Sequence, residues 1–226
     1  MKNTAAFSKD YTIIKEHRKD RNADVDIYGP KGDYIPKEPP QHHRFYTFMC
    51  SFLSPRSTDK QVAETLKTLI ANGYDLEKVC ESDPETLEPL LTVNGRKRKA
   101  GWLKEAAIKI RDEYSGDIPK SPKELQAFKG IGEKLSLAIV KFVWDECNGI
   151  SVDTHVHRVS NRLGWANSEN ATQTRAQLEK IVPKADWSDL IMLVTGFGQQ
   201  ICQAKKPKCD ECNLKPACSF YQQTFS

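Results

Sequence analysis

The sequence has no apolar run long enough to cross a membrane, and its opening stretch "MKNTAAFSKDYTIIKEHRKDR" lacks the apolar core of a secretory signal. Both absences point to an intracellular protein with no membrane partner. No internal repeat or low-complexity tract is present, and no segment shows the alternation that marks strands or hairpins. The expectation is an all-α fold. A strong charge bias is also missing: the formal net charge is only +4, weak evidence for nucleic acid when taken alone. The basic residues instead concentrate in "RKRK" at Arg96–Lys99 and "KKPK" at Lys205–Lys208. Either run also reads as a solvated helix face or loop.

At 226 residues, with 38% apolar and 28% charged side chains, the chain can fold as one large domain or two smaller ones. The helical period is clear in two stripes: Val62, Leu66, Leu69 and Ile70, then Leu103, Ala106, Ala107, Ile110 and Tyr114. Thr58 with Gln61, Ser82 with Glu85, and Ser121 with Glu124 fit the capping box, and Pro84 and Pro122 then fall in a first turn. "KLSLAIVKFVWDEC" (Lys134–Cys147) is apolar on nearly every face of its first turns and predicts a central helix. The sequence divides into a polar N-terminal arm over 1–40 ending in "PKEPP", a helical domain over 41–150, and a second helical group over 151–226 that leads into a cysteine loop.

"SPKELQAFKGIGEKLSLAIV" reads as a capped helix, a turn containing Gly130 and Gly132, and then the central helix. Such a turn exposes successive backbone N–H groups at a helix start, where they can hold a phosphate oxygen without reading base sequence. It is equally the form of a tight αα corner. Lys134 follows two residues later, where the helix dipole favours the free amine, the form that attacks a carbon able to become an aldehyde. Asp153, in "ISVDTHVHRVSNRL", is a natural N-cap. The chain between them is long enough to return its carboxylate to the amine: a fourteen-residue helix rises about 21 Å, and six extended steps span roughly 20 Å. His155 and His157 lack a third ligand nearby and read as packing or phosphate contacts.

"CQAKKPKCDECNLKPAC" places Cys202, Cys209, Cys212 and Cys218 with gaps of six, two and five residues. In a reducing compartment, clustered thiols bind metal more often than they pair as disulfides. Zinc modules usually offer two C-x₂₋₄-C pairs, and this loop has one. An iron–sulfur cube also takes four thiolates from a compact loop, and the spacing fits it better than zinc while leaving both open. Cys50, Cys80 and Cys147 read as inert core or near-core thiols.

Together, "FKGIGEKLSLAIV", "VDTHVHRVSNRLGW" and "GFGQQICQAKKPKCDECNLKPAC", in that order, resemble the endonuclease III family of helix-hairpin-helix DNA glycosylases. The resemblance runs along nearly the whole chain after the first ten or so residues. "YTIIKEHRKDRNADVD" and "GDIP" are similar to its eukaryotic branch. The resemblance implies two helical domains flanking a DNA-binding cleft, with the N-terminal arm joining the cluster domain. It implies a 4Fe–4S cluster on Cys202, Cys209, Cys212 and Cys218, fixing Lys205, Lys206 and Lys208 against DNA phosphate. Lys134 matches the nucleophile that attacks C1′ and forms an imine, and Asp153 the catalytic carboxylate. The implied activity is excision of oxidised pyrimidines from damaged double-stranded DNA, followed by β-elimination at the abasic site. The enzyme would act as a monomer, in the nucleus and also the mitochondrion of a eukaryote.

Three positions depart from the family pattern. Arg56, in "SPRSTD", stands where the family usually carries the glutamine that fills the gap left by the flipped base. Gly95, in "TVNGRKRKA", stands at or near its apolar wedge, which leaves Asn94 and Arg96 as neighbours that could assist. Phe128-Lys129 replaces the usual Leu-Pro before the hairpin glycines. A relative of the adenine mismatch glycosylase is one alternative, although that family usually lacks a lysine at the position of Lys134. A non-catalytic lesion binder is another, opposed by the retention of Lys134 and Asp153. A zinc-stabilised DNA-binding module is the third.

Overall fold

The computed structural model describes residues 1–225, and among them the regular structure is helical, with no strand. The all-α expectation holds. The chain separates into two units, one of residues 24–148 and one that joins residues 1–23 to 149–226.

In the 24–148 unit, helix Pro40–Leu53 buries every residue from Phe45 to Leu53, and helix Glu133–Trp144 buries Leu135 through Lys141. The two pack on one another as the centre of this unit. The stripe Leu103, Ala106, Ala107 and Ile110 lies on helix Arg96–Glu113 and is wholly interior, with Val62, Leu66 and Leu69 of helix Asp59–Ala71 in the same core. Ile70 and Tyr114 pack at its margin. A fully buried leucine such as Leu103 contributes about 1.5–3 kcal/mol through burial. The Thr58–Gln61 capping box forms with both of its hydrogen bonds. At Ser82 the expectation fails, because Asp83 takes the cap position directly before Pro84. Ser121 is the N-cap residue before Pro122, but its side chain makes no cap bond. The central helix ends at Trp144, short of Cys147. Asp145 there is left-handed at φ 57°, a state aspartate tolerates, and its carboxylate accepts from Lys141 at 2.6 Å and Lys31 at 3.1 Å.

The other unit corrects the picture of a polar arm over 1–40. Residues Thr4–His17 form a helix, started by Asn3, whose side chain accepts from the Ala6 N–H. Phe7, Tyr11 and Ile14 fall on one helical face and enter a core with Val156, Val159, Trp165, Leu190 and Phe197. Asp10, also buried, accepts from the Trp165 indole at 2.9 Å and from Lys2 at 2.6 Å. Residues 24–40 group instead with the 24–148 unit, where Ile35 is part of the core.

Candidate functional site

Of the two hairpin glycines, Gly130 is the one that admits no side chain. Gly130 has φ +83°, and a Cβ there would lie 2.7 Å from the Trp102 ring. Gly132 is the N-cap of helix Glu133–Trp144, supplies no side-chain cap and is exposed, so the helix start faces solvent. Lys134 is exposed in this first turn. The turn is braced from below: Gln126 donates to the Ser136 hydroxyl at 3.3 Å, and that hydroxyl donates to the Glu133 carbonyl at 2.8 Å. The unusual Phe128-Lys129 pair is accommodated. Phe128 is buried against Phe48 and Tyr114, and Lys129 pairs with Glu105 at 2.9 Å.

In the same unit the Arg56 loop and the Asn94-Gly95 turn are tied together. Arg56 is exposed and left-handed at φ 62°, an uncommon state for a residue with a side chain. Its carbonyl accepts from the Asn94 side-chain amide at 2.5 Å, and the Asn94 backbone N–H donates to the Ser57 hydroxyl at 3.1 Å. Gly95, at φ +72°, starts helix Arg96–Glu113 and has open space where a Cβ would be. Gly95, Arg96, Lys97 and Arg98 line an open basic concavity, with Arg96 lying 3.5 Å from Glu88. Lys99, the last of the basic run, is buried. Burial, and then the charge of Arg98, pull its ammonium down to about 8, so it is still charged at neutral pH.

Asp153 belongs to the other unit and is half-buried as the N-cap of helix Thr154–Leu163. One carboxylate oxygen accepts from the Val156 N–H at 2.8 Å, as a cap does, and the other accepts from the Thr195 hydroxyl at 3.0 Å. The second bond is not needed for capping and fixes the plane of the carboxylate. Thr195 escapes sequence reasoning because its partner lies 42 positions away. A faint signal exists beside it in "TGFG". A Cβ on Gly196 would meet the Arg18 guanidinium at 2.3 Å, and one on Gly198 would meet His155 at 2.9 Å. His157 bonds Thr174 at 2.6 Å and His155 bonds Arg158 at 3.0 Å, so both histidines are engaged in local packing contacts.

Cys202, Cys209, Cys212 and Cys218 line one cavity, with Leu163, Phe197 and Ile201 among its apolar walls. Burial, then the neighbouring thiols, push Cys209 above its ordinary value, and burial pushes Cys212 up to about 11. Such thiols ionise only if a cation compensates them. No three His, Cys, Asp or Glu side chains among the described residues converge as a single ion requires. Two arginines of helix Thr154–Leu163 hold the loop: Arg158 donates to the carbonyl of Cys202 and to that of Gly198 in the preceding helix Trp187–Gln200, and Arg162 donates to those of Gln203 and Ala204. Neither arginine stood out in the sequence. Lys205 and Lys206 are exposed, and Lys208, also exposed, lies 3.6 Å from Glu211. Of the remaining thiols, Cys50 and Cys80 are buried and Cys147 is half-buried. Burial pushes Cys50 up to about 12.

A family model described as HhH-GPD superfamily base excision DNA repair protein matches residues 49–184. Mouse endonuclease III-like protein 1 is 34% identical over 212 residues, which cover 92% of this chain and 71% of the mouse protein. Endonuclease III of Thermotoga maritima is 32% identical over 194 residues, covering 84% of this chain and 91% of its own length. Among solved structures, that of a trapped covalent intermediate of endonuclease III with DNA aligns with a TM-score of 0.83 at 24% identity, over 99% of both chains. At that identity the likeness speaks for the fold. With a family model spanning more than half of the chain and relatives about a third identical along most of it, this chain belongs to the HhH-GPD superfamily of base excision DNA repair proteins, in its endonuclease III branch.

Proposed function

We propose that this chain excises oxidised pyrimidines from double-stranded DNA as a monomer and then nicks the strand at the abasic site. Its endonuclease III relatives support the activity class, a base excision repair glycosylase with lyase activity. The observation that carries the finer reading is the placement of Lys134, an exposed amine in the first turn of a helix that begins on glycine with no side-chain cap. A phosphate bound at that helix start would bring a deoxyribose to the amine.

Nζ of Lys134 attacks C1′. The glycosidic C–N bond breaks, and the base leaves with the bonding pair and takes up a proton. Opening of the sugar ring leaves an imine between Nζ and C1′. Loss of a proton from C2′ then drives elimination of the 3′ phosphate, and water hydrolyses the imine to free the lysine. Asp153 assists departure of the base and takes up the proton that the lysine nitrogen sheds once its bond to C1′ has formed, with one carboxylate oxygen accepting from the Thr195 hydroxyl. Gly130 and Gly132 supply the phosphate-binding turn. Arg56, Asn94, Gly95 and Arg96 meet the gap left by the extruded nucleotide.

Cys202, Cys209, Cys212 and Cys218 hold a 4Fe–4S cluster, a reading supported by the cavity they share. When bound, the cluster supplies covalent staples to a loop that has little core of its own, and the loop sets Lys205, Lys206 and Lys208 against DNA phosphate. No helix among the described residues is long and apolar enough to cross a membrane. Relatives from mouse and from a plant, the latter named chloroplastic, support a nuclear or organellar setting.

The test is product analysis on a duplex carrying one thymine glycol. The reading expects release of the free base together with a strand break that needs no alkali. Base release without a break would place the chain with glycosylases that lack lyase activity.

A further inference from the structure

Three of the four residues in the basic run Arg96–Lys99 are exposed, and the fourth is buried at 8% exposure. Lys99 Nζ donates to the carbonyl of Leu53 at 2.6 Å, to that of Pro55 at 2.8 Å, and to the hydroxyl of Ser57 at 3.2 Å. An ammonium has three donors, so each has one oxygen, and burial of the charge is tolerated because its hydrogen-bonding capacity is met. The acceptors are not scattered. They come from the segment on either side of Arg56, the one residue of that loop held in the left-handed region.

The same hydroxyl of Ser57 also accepts from the Asn94 N–H, while the Asn94 side chain donates to the Arg56 carbonyl. One buried cation therefore joins the end of helix Pro40–Leu53, the Arg56 loop and the turn that begins helix Arg96–Glu113. All of these lie within the 24–148 unit. Arg56 has no glycine to relieve its backbone and would relax to an ordinary conformation without these ties, carrying its side chain elsewhere. Arginine could not stand in for Lys99, because a planar fork does not match three acceptors grouped around a single nitrogen.

We propose that Lys99 is a positioning residue for nucleotide extrusion: its ammonium fixes the Arg56 loop and the Asn94-Gly95 turn as one rigid edge, from which Arg56 enters the gap left by the damaged nucleotide. The proposal rests on the glycosylase reading and on the gap-filling role of Arg56 within it. It makes extrusion, and not the imine chemistry, the step that depends on Lys99.

The experiment compares wild type, Lys99→Met, Arg56→Ala and the double variant under single-turnover conditions, on a duplex with a paired thymine glycol and on one with a preformed abasic site. Lys99→Met is expected to slow excision of the paired lesion at least about tenfold and to change nicking of the abasic site by less than about threefold. The double variant should excise no more slowly than Arg56→Ala alone, because both changes remove the same function. A purely structural role would lower both activities together and multiply with Arg56→Ala, and either result would overturn the proposal. If Lys99→Met does not fold, Ser57→Ala removes one acceptor while keeping the ammonium and should give a smaller loss confined to the paired lesion. An equal loss on both substrates would again overturn the proposal. Failure of the glycosylase reading looks different, since wild type itself would then nick neither duplex.

Discussion

Asp153→Asn separates the two roles that the structure gives to one side chain. As a cap, Asp153 accepts from the Val156 N–H at 2.8 Å, and an amide oxygen in the same place does so nearly as well. The Thr195 hydroxyl, which now donates at 3.0 Å, can turn and accept from the new NH₂ group. What stability loses is the charge at the helix N-terminus, about 0.3–1 kcal/mol. For a chain of this size a loss of 1 kcal/mol is a Tm shift of roughly 2–4 °C. Catalysis loses the only anion assigned to proton transfer, worth about 10²–10⁴-fold, or roughly 3–5 kcal/mol in the barrier. Single-turnover excision of thymine glycol, with Tm followed in parallel, should show a rate loss far larger than the stability loss. Asp153→Ala supplies the control. It should lower Tm further, because the cap is gone, without slowing the reaction much beyond the asparagine variant. If Asp153→Asn excises within about threefold of wild type, the residue is a cap alone and the catalytic assignment is wrong.

Substituting Cys209 by Ala should remove iron and acid-labile sulfide together and weaken DNA binding. Stoichiometric zinc without iron, in wild-type protein prepared anaerobically, would refute the cluster. Replacing Lys205, Lys206 and Lys208 with Ala should flatten the dependence of log K on log salt by about 0.9 for each phosphate left without its lysine, with Lys208 giving the least because Glu211 lies 3.6 Å away. An unchanged slope would take this loop out of the DNA interface. Arg56→Ala should impair excision of a paired lesion more than nicking at an abasic site, where no base has to be withdrawn. Guanine opposite the lesion should be the favoured partner of wild type, since its O6 and N7 accept from arginine. Rates on matched duplexes that differ only in the opposite base measure both effects.

The parts of this fold that were legible in the sequence are those set by period and by local chemistry. Leu103, Ala106, Ala107 and Ile110 repeat at helical spacing and all are interior. Thr58 and Gln61 are close enough in sequence to satisfy each other directly. The helix Thr4–His17 was hidden because Phe7, Tyr11 and Ile14 are its inward stripe in an otherwise polar stretch, too few to stand out. The Ser82 reading misses by one position because Asp83 stands directly before the proline and occupies the cap position, although its side chain makes no cap bond. Within the site, the glycines, Lys134, Asp153 and the cysteines carry signals in their own residue types and spacings. Thr195 and Lys99 carry none. Each acts through a contact made across 42 to 46 positions of sequence, and Lys99 is masked in a basic run whose other members face solvent.

The central claim is that the amine of Lys134 becomes covalently bound to the sugar, and borohydride tests it most directly. Wild-type protein incubated with a duplex containing an abasic site or thymine glycol, and then reduced, should give a stable protein–DNA adduct. Peptide mapping should place that adduct on Lys134. Lys134→Ala should still bind the duplex and yield no adduct and no nick. Trapping at wild-type levels by Lys134→Ala, or an adduct mapped to another amine, would contradict the account.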